Sequence, residues 1–189
     1  MFQQWCGINV IFNYAEEIFR AAGYGVSGMM FNVVITGVVN LAFTFVAIRT
    51  VDRWGRRPLM LLGAGGLFAT YALLGACYAL KLQGAVVLLM VLTAIAFYAM
   101  TLAPITWVLL SEMFPNRIRG AALSVCVSAL WLACFALTVS FKPINAALGA
   151  AGTFWLYGAL CLGSLAVMWL RVPETKGKSL EQIERELAD

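Results

Sequence analysis

Apolar residues gather into six long runs along this chain, at about 2–19, 28–50, 58–80, 84–110, 120–141 and 152–171, separated by short polar linkers. Each run is close to the ~20 residues that a helix needs to cross the hydrocarbon core of a bilayer. No period-two alternation runs through them, and they are too long for the strands of an outer-membrane barrel. The pattern predicts an all-α membrane protein, with six transmembrane helices over residues 1–171 and a polar tail over 172–189. In the tail, Ser179 and Gln182 form a capping box, Glu181 and Arg185 an i,i+4 pair, and Leu180, Ile183 and Leu187 an apolar stripe. These features predict a short amphipathic helix that packs on the bundle or lies on the membrane surface.

Composition strengthens the membrane reading. The chain is 62% hydrophobic and 12% charged, with mean hydropathy +0.88, against roughly 45–50% apolar and 25% charged for a soluble domain. Charge sets the orientation. With an even number of spans, both termini share one side with the linkers 49–57 and 111–119. Arg49, Arg53, Arg56, Arg57, Arg117, Arg119, Arg171, Lys176, Lys178 and Arg185 fall there, and only Arg20, Lys81 and Lys142 fall opposite. The positive-inside rule makes the first side cytoplasmic, in a multi-pass protein of the cell inner (plasma) membrane. No basic face interleaved with aromatics points to nucleic acid. No Lys or Arg precedes Gln3 and no small-residue cleavage site follows, so the first run is expected to stay in the mature protein. The missing basic flank at its cytoplasmic end points to a truncated first helix and an absent preceding loop.

Catalytic chemistry has little to work with. The chain has no His, and no pair of carboxylates falls at membrane depth. Cys6, Cys77, Cys126, Cys134 and Cys161 lie in apolar runs without paired metal spacing, as small packing residues do. Neither a metal site, a cofactor nor an enzyme is expected.

What the membrane interior does hold is neutral and polar: Gln3, Gln4, Asn9, Asn13 and Tyr14 in the first run, Asn40 in the second, Trp107 after Pro104 in the fourth, and Trp131 in the fifth. A buried carboxamide costs several kcal/mol unless something satisfies it. Helix-helix glue and a binding site are the two readings. Amides offer donors and acceptors to a neutral polyhydroxylated ligand, and a flat aromatic face covers the CH face of a pyranose. For Trp107 and Trp131, lipid contact or core packing is the competing reading. On a straight helix Asn9, Asn13 and Glu16 share one face, whereas Gln3 and Gln4 sit roughly 120–140° away. Either Gly7 marks a break, or the amides bracket a ligand lying along the helix. Pro104 predicts a kink in the fourth helix. Glu16 and Glu17, near the outer end of the first helix, read as solvated interfacial carboxylates or as an outer gate.

Three charged clusters occupy the cytoplasmic rim. Asp52-Arg53-Trp-Gly55-Arg56-Arg57-Pro58 joins the second and third helices, with Gly55 allowing a tight turn and Pro58 opening the next helix. Ser111-Glu112-Met-Phe-Pro115-Asn-Arg117-Ile-Arg119-Gly120 ends the fourth, and Pro173-Glu174-Thr-Lys176-Gly177 follows the sixth. They fit a network that breaks as the rim opens, and on charge alone they better fit positive-inside anchoring with surface pairs worth about 0–1 kcal/mol each.

Taken in order, Gln3-Gln4-x-x-Gly7-x-Asn9, Asn40 in Val-Asn-Leu-Ala-Phe-Thr, the Asp52 to Pro58 string, Pro104-x-x-Trp107, Ser111-Glu112-x-Phe114-Pro115-x-Arg117-x-Arg119-Gly120 and Pro173-Glu174-Thr-Lys176-Gly177 resemble the sugar porter family of the major facilitator superfamily. The likeness runs end to end, nearest to bacterial xylose and hexose symporters. It implies a twelve-helix transporter of two halves, each a 3+3 inverted repeat, with this chain matching the carboxyl half. By that likeness Gln3, Gln4, Asn9, Asn40, Trp107 and Trp131 correspond to substrate-binding positions, and Asn13 and Tyr14 to an outer gate. Asp52, Arg53, Gly55, Arg56, Arg57, Glu112, Arg117, Arg119 and Glu174 correspond to the inner salt-bridge network of an alternating-access carrier of a pentose or hexose. Three positions depart from the family pattern: Ala103 stands for the usual Gly, Leu130 for Gln or Asn, and Asn13 for the first Tyr of a gating pair. Losing a hydroxyl partner at position 130 bears on which sugar is preferred. The partners implied are the sugar, the lipid bilayer and an amino-terminal six-helix half. The alternative is a truncated, non-transporting remnant or sugar-sensing relic.

Overall fold

The structure, a computed structural model, describes residues 2–114, 118–172 and 176. Every regular element among them is helical: α1 (Phe2–Trp5), α2 (Ile8–Asn13), α3 (Ala15–Ala21), α4 (Val26–Trp54), α5 (Arg56–Ala79), α6 (Ala85–Met100), α7 (Leu102–Glu112) and α8 (Arg119–Arg171). Among the described residues, four stretches are long and apolar enough to cross a membrane: Val26–Val51, Arg56–Ala79, Ala85–Glu112 and Arg119–Leu170. The expected tail helix lies outside the described residues.

The first apolar run is three short helices instead of one. Gly7 takes φ +80°, a left-handed conformation open mainly to glycine, and ends α1. Tyr14, at φ −118° and ψ 26°, separates α2 from α3. Gly7 is also needed for space, since a Cβ there would lie 2.8 Å from Cγ of Tyr157. The fourth run breaks too, at Thr101 (φ −125°, ψ −84°), between α6 and α7. The break therefore falls three residues before Pro104, which occupies the first turn of α7, where a missing N–H costs no intrahelical bond.

Two linkers differ from the sequence reading. Helix α4 continues through Arg49 to Trp54, and Gly55 alone, at φ 91°, connects it to α5. The gap expected at 142–151 is largely helical, because Pro143 removes one bond, to the carbonyl of residue 139, while the following Ala146, Ala147 and Leu148 are strong helix formers. The chain turns instead at Gly149 (φ 68°, ψ 176°). A straight helix of this length would run ~80 Å, far beyond a ~30 Å hydrocarbon core. The two arms fold back on each other, so that Leu137, Ser140 and Ile144 share a cleft with Leu156, Tyr157 and Leu160.

Helix α5 is the centre of the bundle. Leu59, Ala64, Leu67, Tyr71 and Leu74 are buried along it at helical spacing. The second arm of α8 runs antiparallel to it: Arg57 meets Trp169 at one end, and Trp155 donates to the carbonyl of Ala72 at 3.2 Å near the other. Missing side chains on α5 let α6 and α7 approach closely, since a Cβ on Gly66 would lie 2.4 Å from the Phe97 ring. By contrast, Met30, Val34, Val38, Leu41, Phe45 and Ile48 leave an apolar stripe of α4 exposed.

Candidate functional site

The break at Gly7 rearranges the amides that a straight helix keeps apart. Gln4 and Asn9, on either side of it, meet directly, with Nδ2 of Asn9 donating to Oε1 of Gln4. Gln3 turns toward α6, where its Nε2 donates to the Tyr98 hydroxyl at 3.1 Å. Both glutamines are buried, at 5% and 6% exposure, and Oε1 of Gln3 has no hydrogen-bond partner among the described residues. A buried acceptor left unpaired costs about 1–3 kcal/mol.

Asn40 is half-buried on α4. Trp107 on α7 and Trp131 on α8 present open faces, Trp131 with 61% exposure, and no hydrogen bond ties either to the amides among the described residues. Leu130, beside Trp131, is turned into the bundle at 2% exposure. Gln4 and Asn9 are thus joined to each other and Gln3 to Tyr98, while the aromatic faces stand open. A hollow of about 510 Å³ lies elsewhere, between Glu16 and the start of α4, lined by Val26, Met29, Met30, Val33 and Val34.

Between α2 and α3, Tyr14 is held against α8. Its hydroxyl donates to the carbonyl of Thr138 at 3.2 Å, its ring lies 4.4 Å from that of Phe141, and the Lys142 ammonium sits 5.6 Å from its centroid. Lys142 also reaches Glu17 at 3.7 Å, while Glu16 pairs with Arg20 on its own helix. Asn13 is exposed.

On the opposite rim, Nη2 of Arg56 meets Oε1 of Glu112 at 3.0 Å, joining the start of α5 to the end of α7. Arg57 donates to the carbonyl of Trp169 at 2.7 Å with its guanidinium 5.9 Å from that ring. Arg119 donates to the carbonyl of Phe114 at 3.2 Å, and Lys176 to that of Arg53. Gly55 forms the turn between α4 and α5. Arg117, Glu174 and the Asp52 side chain lie outside what the structure describes. Sequence reading missed Tyr98, Tyr157 and Trp169, aromatics whose partners are distant in the chain.

The sequence profile of the sugar (and other) transporter family matches residues 1–187. The chain belongs to that family. It is 43% identical over 192 residues to the D-xylose-proton symporter of Escherichia coli strain K12, covering 97% of this chain and 39% of that protein. It is 41% identical over 190 residues to the glucose facilitated diffusion protein of Zymomonas mobilis, covering 97% of this chain and 40% of the relative. Among solved structures it resembles the major-facilitator proton:xylose symporter bound to 6-bromo-6-deoxy-D-glucose, with TM-score 0.89 and 41% identity over 98% of this chain and 40% of that one. The inward open form of the xylose transporter from E. coli gives 0.87. The sugar porter chain thus spans about 40% of the length of these relatives. Membership places it among membrane transporters of the major facilitator superfamily, not among enzymes.

Proposed function

We propose that this chain is the carboxyl-terminal half of a transporter that carries a neutral pentose or hexose by alternating access. The observation that carries the proposal is the amide array around the Gly7 break, Gln3, Gln4 and Asn9, set in a bundle with no charged side chain among them. Amides without a counter-charge suit a polyhydroxylated neutral ligand, and Asn40, Trp107 and Trp131 add a further amide and two aromatic faces. Relatives named for D-xylose and glucose support the substrate class.

In this reading α1–α3 together, α4, α5, α6 with α7, and the two arms of α8 are six membrane crossings, a 3+3 repeat ahead of a tail from 172 onward. Cytoplasmic termini in an inner or plasma membrane follow from the arginine-rich linkers. The amino-terminal half closes the sugar cleft from the other side, and it and the lipid cover the apolar stripe of α4. Tyr14 with Asn13 gates the outer side. Arg56–Glu112, with Arg53, Arg57, Arg119 and their neighbours, latches the inner rim and opens with it. Similar scores against sugar-bound and inward open relatives support a half that moves largely as a body.

Uptake of labelled D-xylose and D-glucose by vesicles holding this chain with its amino-terminal half tests the assignment. Gln4→Ala and Asn40→Ala are each expected to lower kcat/KM by about tenfold or more, the effect of losing a hydrogen bond to substrate. Unchanged uptake in both variants would sink the sugar-site assignment.

A further inference from the structure

An apolar cleft of about 340 Å³ opens between α5 and the second arm of α8, lined by Leu61 on one side and by Leu162, Leu165, Ala166 and Trp169 on the other. The α8 residues fall at i, i+3, i+4 and i+7, so they share one face, which runs ~10 Å along the helix from Trp169 to Leu162. One end of the cleft is charged. Arg57, one turn before Leu61 on α5, puts its guanidinium 5.9 Å from the Trp169 ring and donates to the Trp169 carbonyl at 2.7 Å. Trp169 and Leu162 are 62% and 47% exposed, so both ends of that face meet the surroundings. None of the cleft residues lies on α4, on α7 or on the first arm of α8, the surfaces that the two-half reading turns toward the amino-terminal half.

Resting on the membrane crossings proposed above, we infer that this cleft is a binding site for one anionic glycerophospholipid, with an acyl chain along Leu61, Leu162, Leu165 and Ala166 and the headgroup phosphate at Arg57. Charge complementarity selects the occupant. The linkers 49–57, 111–119 and 171–178 hold nine basic and three acidic residues, and the contacts of Arg56 with Glu112 and of Lys176 with Arg53 bring these linkers to the charged end of the cleft. A planar guanidinium carries five N–H donors, enough to serve a carbonyl and a phosphate together, and it stacks on an aromatic face while doing so. A zwitterionic lipid offers the same chain but brings its own cation to this positive surplus, so the anionic headgroup is held more tightly.

The test reads lipid contact at Trp169, using brominated lipids that quench tryptophan fluorescence on contact. This chain with its amino-terminal half is placed in phosphatidylcholine vesicles in which a fixed fraction of the lipid is dibrominated phosphatidylglycerol or dibrominated phosphatidylcholine. The signal lost in Trp169→Phe isolates the share of Trp169. Quenching of that share is expected to show about fivefold stronger association with the phosphatidylglycerol probe, the effect of one basic side chain at a membrane surface. The preference is expected to fall toward one in Arg57→Gln and at high salt. Ala166→Phe, which fills the cleft, is expected to lower quenching by both probes. Equal quenching by the two probes in the wild type would overturn the site and leave an ordinary lipid-facing surface. No quenching by either would overturn it as well, since protein, from the amino-terminal half or a second copy of this chain, then covers the cleft. A preference that survives both Arg57→Gln and high salt would overturn the headgroup assignment, and if Arg57→Gln fails to insert, the salt series on the wild type decides that point. Contact is read without transport, so absence of sugar uptake would overturn the transport reading and leave this site standing.

Discussion

Gly7 carries two constraints at once, a left-handed backbone and contact with the Tyr157 ring, and both follow from breaking a helix where amides must converge. Gly7→Ala is expected to destabilise the bundle, since a left-handed alanine alone costs ~1–2 kcal/mol before any clash. Thermal unfolding in detergent checks this, and pairing the change with Tyr157→Ala should recover the steric part but not the backbone part. A Gly7→Ala protein that melts with the wild type would contradict the geometry. At this scale the sequence was readable where a residue type is out of place: Gln3, Gln4 and Asn9 stand out as amides in an apolar run. Tyr98 does not, because an aromatic residue in such a run is ordinary and its partner lies 95 residues away.

Elements were legible as far as hydropathy alone specifies them. The apolar runs correspond to helices throughout, yet the first is divided at Gly7 and Tyr14, and the fifth and sixth join through Pro143 into α8 with its turn at Gly149. Hydropathy records depth in the membrane and is blind to a change in backbone direction at constant depth. The helix runs past the end of the apolar run at 141 because Pro143 costs only local bonds and the following alanines continue it. The ion pair between α5 and α7 offers an element-scale test. Arg56 and Glu112 keep only 14% and 24% side-chain exposure, so each depends on the other more than a surface pair does. Arg56→Glu and Glu112→Arg are each expected to slow uptake several-fold by loosening the rim between α5 and α7, and the double reversal to recover much of the loss. Uptake by the three variants, normalised to the amount in the membrane, measures it; additive losses in the double variant would remove the latch.

On the scale of the whole molecule, 43% identity to a D-xylose-proton symporter covers 97% of this chain but 39% of that protein. Trp107, Trp131 and the bare stripe of α4 stand exposed, and in the proposed two-half reading they meet the other half or lipid. In that reading a cleft needs both walls, and among the described residues no carboxylate accompanies the amides. The family was legible because its motifs are spread over the full length in order, whereas the closed cleft was not, because a helix pattern carries no information about a wall contributed by other residues. The most direct measurement is uptake of labelled D-xylose and D-glucose by vesicles containing this chain alone, its amino-terminal half alone, or both. Saturable uptake only with both, weakened by Gln4→Ala, is the expected result; saturable uptake by this chain alone, or none with both, would contradict the account.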